Sequence, residues 1–67
     1  MPMSDDDLVA LRDLAIDLAK DGRIGEACHL IRSESGDTLK AAARRLAAWL
    51  DGEGLAVPLV LESATRS

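Results

Sequence analysis

The chain contains no phenylalanine and no tyrosine, and only one tryptophan, one histidine and one cysteine among its 67 residues. Each shortage excludes something. Cys28 has no second cysteine to bond with, so no disulfide can form within the chain. One histidine and one cysteine cannot supply the three or four ligands of a zinc site. A lone thiol fits a reducing compartment, most simply a bacterial cytoplasm. The opening residues Met1-Pro2-Met3-Ser4-Asp5 lack a basic stretch followed by an apolar run, so no secretory signal is expected. No apolar run is long enough to span a bilayer. There is no glycine-rich phosphate loop, nucleophile elbow or paired-carboxylate constellation. These gaps point away from an enzyme, and no cofactor or metal is expected.

What remains is mostly leucine, alanine and charge. The apolar fraction is 48%, and the formal net charge is −4. Leucine and alanine are strong helix formers, whereas aromatic and β-branched residues favour strands. Composition alone therefore predicts a helical bundle. The length allows one small domain, residues 1–67, with a modest core. The charge is uneven. Asp5, Asp6, Asp7, Asp13, Asp17 and Asp21 crowd the first third against only Arg12 and Lys20. Lys40, Arg44 and Arg45 form the only basic group. An acidic chain repels phosphate backbones unless a local patch overrides it, which disfavours nucleic acid as a partner.

Periodicity predicts three helices, over residues 5–21, 23–34 and 38–51. Ser4 is a good N-cap, and the three aspartates after it suit the positive end of the helix dipole. Leu8, Leu11, Ala15 and Leu18 make one stripe, widened by Leu14 and Ile16. Gly22 is a natural stop. In the second helix Ile24, Ala27, Cys28 and Ile31 follow the i, i+3, i+4, i+7 pattern. Gly25 weakens its first turn, or lets another backbone approach closely. Asp37 or Thr38 can cap the third helix. Its core face is Leu39, Ala42, Ala43, Leu46, Trp49 and Leu50, and Gly52 ends it. Beyond it Leu55, Val57, Leu59 and Leu61 alternate with Ala56, Pro58 and Val60, which is a strand period. Pro58 confines such a segment to an edge. The expectation is an all-α, three-helix domain with a helical hairpin. A short extended segment over residues 55–61 and a frayed tail over 62–67 follow it.

Candidate functional residues are few. His29 shares a helix face with Glu26, but two groups make no metal site. Cys28 lies on an apolar stripe and reads as a small hydrophobe. Lys40 and Arg44 are spaced i, i+4 on one face, and Arg32 can join them across the hairpin. That strip suits an acidic partner or phosphate. Trp49 either seals the core or anchors an interface, where tryptophan is over-represented.

Residues 22–42 carry a pattern. Gly22 precedes the second helix, Glu26-Ala27 and Leu30-Ile31-Arg32 lie within it, Ser35-Gly36 end it, and Leu39-Lys40 with Ala42 open the next. This stretch resembles the helical hairpin of the C-terminal domain of the ribosomal stalk protein, and more closely small free-standing bacterial proteins that carry the hairpin alone. It covers about a third of the chain. The chain differs from that family at His29, where lysine is preferred, and at Asp37-Thr38, where a Leu-Gly pair is preferred. In that family the hairpin is a docking surface that recruits translation factors. The resemblance implies that Arg32, Gly36 and Lys40 belong to such a surface.

Together these readings predict a protein–protein interaction or adaptor module and a homodimer, with the C-terminal strand either packed as extended chain over the helices or paired with another chain, a second copy or a different protein. The expected contact residues are His29, Arg32, Lys40, Arg44, Trp49, Leu55, Val57, Leu59 and Leu61. The alternative is a small helix-turn-helix DNA-binding regulator, with the third helix as reader and Lys40, Arg44 and Arg45 on phosphates.

Overall fold

The computed structural model describes residues 4–66, with side chains described through residue 63. The expected all-α class and the helical hairpin are present, but there are four helices: α1 (Asp5–Lys20), α2 (Ile24–Ser35), α3 (Leu39–Gly52) and α4 (Leu59–Arg66).

Local chemistry sets the ends of the first three helices. The Asp7 N–H donates to Ser4 Oγ at 3.2 Å, and Asp5, Asp6 and Asp7 occupy the first turn of α1. At the other end the Arg23 N–H reaches the Leu18 carbonyl at 2.8 Å and the Gly22 N–H reaches Ala19 at 3.1 Å. That pair of bonds satisfies carbonyls that would otherwise be orphaned at the helix end. Between the two candidate caps of α3, Thr38 takes the role: its Oγ1 accepts from the Ala41 N–H at 3.1 Å. The stop of α3 lies further on than the sequence suggested. Gly52 is the last helical residue. The turn is made by Gly54 at φ 74°, with the Leu55 N–H bonded to the Leu50 carbonyl at 2.9 Å. Only glycine enters that left-handed region without steric cost.

The segment expected to be extended over residues 55–61 is corrected in its second half, since residues 55–58 are outside any helix and α4 begins at Leu59. Residues 59–66 form α4, which includes Leu59 and Leu61 and most of the tail expected to fray. A lone strand leaves its backbone groups unpaired, whereas a helix bonds its own. Pro58 sits just before the helix, where its missing N–H costs nothing. Its carbonyl accepts from the N–H groups of Leu61 and Glu62 at 3.0 and 3.2 Å. The alternation of apolar residues on both sides of Pro58 satisfies either period over so few residues. The expected pairing of this segment as a strand across a dimer axis falls with it.

The core is built from Leu11, Ala15 and Ile16 of α1, Ala27, Cys28 and Ile31 of α2, and Ala42, Ala43, Leu46 and Leu50 of α3. Leu61 of α4 completes it at 2% exposure. Ala15, Ala27 and Ala42 are fully buried, so small side chains stand where the helices approach. No charged or polar residue is buried among the described residues. The first three helices pack on one another, and α4 packs on α3. No helix among the described residues is long and apolar enough to cross a membrane.

Candidate functional site

The expected contact residues separate into four groups. His29, Arg32, Lys40 and Arg44 are exposed. Trp49, Leu55 and Val57 are half-buried and packed against the core. Leu61 is inside the core. Leu59 is the opposite, at 79% exposure, and its neighbour Val60, which was not among the expected contacts, is 63% exposed. The helix explains the split. Successive residues turn by about 100°, so one face of α4 docks on α3 while Leu59 and Val60 point away.

Arg45 does not join Lys40 and Arg44 as a free cation. Its Nη2 lies 3.1 Å from Asp37 Oδ2, and its guanidinium sits 6.0 Å from the centre of the Trp49 ring. Asp37 is held in turn by Ser35. The Ser35 hydroxyl lies 2.9 Å from Asp37 Oδ2 and 2.6 Å from the Ile31 carbonyl, and it accepts from the Asp37 N–H at 3.4 Å. This Ser35–Asp37–Arg45–Trp49 chain ties the hairpin turn to the flank of α3. Trp49 is half-buried and packs against the core. Sequence spacing showed Arg45 beside Arg44 but not the aspartate across the turn.

A second apolar surface lies between α1 and α2. A groove of about 340 Å³ is lined by Ala10, Leu11, Leu14 and Leu30, with Asp7 and Glu34 on its rim. Leu14 is 57% exposed. The sequence marked Leu14 only as widening the apolar stripe. The signal that identified the groove's rim was present in the crowding of aspartates on the same helix.

Cys28 is buried, and desolvation pushes its thiol above its ordinary value. A neutral thiol in an apolar setting is a poor nucleophile, which fits its reading as a small hydrophobe. No group of three or more histidine, cysteine, aspartate or glutamate side chains among the described residues is arranged to hold a metal ion. Arg12 is half-buried, and its Nε is shielded from solvent without a hydrogen-bond partner among the described residues.

These features define a small all-α domain with a capped helical hairpin and two separate apolar surfaces, one on α4 and one between α1 and α2. No family model matches the chain, and no curated protein or solved structure shows significant similarity to it.

Proposed function

We propose that this chain is a non-enzymatic protein–protein interaction module, a small adaptor that pairs with a second copy through α4 in a reducing cytoplasm. The observation that carries the reading is the outward exposure of Leu59 and Val60 on a helix whose other face is anchored by Leu61. Large apolar side chains held on a docked helix gain about 25 cal/mol for each Å² they remove from water. A two-fold axis places such a patch against itself, which is the commonest route to a homodimer. The resemblance of residues 22–42 to a docking hairpin supports the same class of role, with His29, Arg32, Lys40 and Arg44 as a separate exposed strip. Cys28, unpaired and buried, suits a reducing environment.

Light scattering coupled to size exclusion tests the pairing. The expected result is a particle of twice 7.1 kDa that reverts to monomer in Leu59→Glu or Val60→Glu. Both variants keep the core, so their circular dichroism should be unchanged. A wild-type chain that stays monomeric at all concentrations overturns the reading. The DNA-binding alternative has weaker support. Arg45 is committed to Asp37 and Trp49, which leaves Lys40 and Arg44 as the exposed cations of α3 on a chain of net charge −4. A gel shift that weakens steeply with salt would favour it instead.

A further inference from the structure

We propose that the groove between α1 and α2 receives a basic amphipathic helix from a partner protein. This goes beyond pairing through α4, because α4 packs on α3 and the groove lies on other helices.

Two adjoining hollows form the groove. The first has the Ala10, Leu11, Leu14 and Leu30 floor. The second, about 460 Å³, is lined by Leu14, Asp17, Leu18, Lys20 and Asp21. Leu14 lines both, so the two adjoin at that residue, the first walled by α1 and α2 and the second a shallow hollow on α1 alone. From Asp7 to Asp21 the run is about 21 Å at the helical rise per residue, the length of about four helical turns. The apolar residues along this run, Ala10, Leu11, Leu14 and Leu18, match the stripe of a helix reading i, i+3, i+4, i+7.

Charge selects the occupant. The carboxylates along it are Asp7, Asp17, Asp21 and Glu34, and among the described residues Lys20 is the one cation lining it. Asp21 is already engaged by Arg23 at 3.5 Å. Asp7, Asp17 and Glu34 have no ion-pair partner among the described residues. An apolar floor between unneutralised carboxylates complements a leucine stripe edged by lysine or arginine. It repels the same stripe edged by glutamate.

The test uses the full chain and two labelled synthetic helical peptides with the same leucine stripe, one edged with lysine and one with glutamate. Fluorescence anisotropy follows binding at low and at high salt. The lysine peptide is expected to bind at least tenfold tighter than the glutamate peptide and to weaken as salt rises. Leu14→Asp should cost at least tenfold in affinity. Because Leu14 is largely exposed, the variant should keep its helicity; if it does not, Leu14→Ser carries the comparison. Glu34→Lys with Asp17→Lys should remove or reverse the charge preference. Leu59→Glu should leave peptide binding unchanged, which separates this proposal from pairing through α4. Three results would overturn it. These are no binding of the lysine peptide, equal binding of both peptides, or loss of the dimer rather than of peptide binding in Leu14→Asp. The last outcome would make the groove a contact between two copies.

Discussion

Replacing Leu61 with alanine should cost this domain a large part of its stability, while the same change at Leu59 should cost almost nothing. Leu61 is 2% exposed and seals the core from α4. Deleting a buried leucine side chain to alanine costs about 2–5 kcal/mol, the spread reflecting how far the cavity collapses. A chain of 67 residues has a total stability of about 3–10 kcal/mol at typical values per residue. A mid-range loss of about 3 kcal/mol therefore lowers the melting temperature by about 12–24 °C. It should also melt α4, since eight residues are too few to stay helical without packing. Leu59, mostly in solvent, should change stability by less than about 0.5 kcal/mol. Urea titration followed by circular dichroism at 222 nm measures both. It should be run at concentrations low enough that pairing adds nothing to apparent stability. Equal effects from the two variants, or a Leu61→Ala protein as stable as wild type, would refute the placement of α4 on α3.

Four further outcomes follow from the same structure. Gly25 faces open space in the first turn of α2, so Gly25→Ala should stabilise by about 0.5–1 kcal/mol. Gly36→Ala, at φ 74°, should destabilise by about 1–2 kcal/mol; thermal melts distinguish the two signs. Thr38→Ala removes the cap on Ala41 and should cost about 1 kcal/mol in urea, with Thr38→Ser restoring most of it. Cys28 has a raised thiol value in the folded state, so folding favours its neutral form. Its contribution is complete below the ordinary thiol value and is lost as pH rises from about 8.5 towards the folded value. Denaturation midpoints should therefore fall in mild alkali in the wild type more than in Cys28→Ala. A thiol reagent should react fast only once the chain is unfolded.

Much of the fold was legible because single residues acted locally. Ser4, Gly22 and the Ser35-Gly36 pair mark helix ends by their own chemistry, and α1, α2 and α3 begin and end within a residue of the expected positions. The C-terminal helix was not legible. Every residue from Leu55 to Leu61 is apolar, so over so short a run the pattern fits a strand period and a helix period alike. What decides is the surface offered by α3, a tertiary fact that no local pattern carries. The same reason separates Leu61 from Leu59, which the sequence presented as equivalent. Of the two readings of Gly25, a weakened first turn and a close backbone approach, the second is not met, since nothing lies near it. Of the candidate contacts, the exposed charges were legible as exposed. The commitment of Arg45 to Asp37 needed the turn to bring them together. The α1–α2 groove was half-visible, as aspartates on one helix, but its other wall comes from Leu30 and Glu34 of the next.

The order in which the helices pack has a kinetic meaning. α1 packs on α2, α2 on α3 and α3 on α4, and only the meeting of α1 with α3 joins helices that are not consecutive. Native contacts are thus mostly short-range in sequence, and little chain entropy is spent before they form. Such a topology folds in microseconds to milliseconds. Because α3 is the one helix that α4 packs on among the described residues, α4 can open and reclose as a unit while the other three helices stay assembled. Amide exchange in residues 59–66 should then report a local opening, well below the cost of unfolding the whole chain.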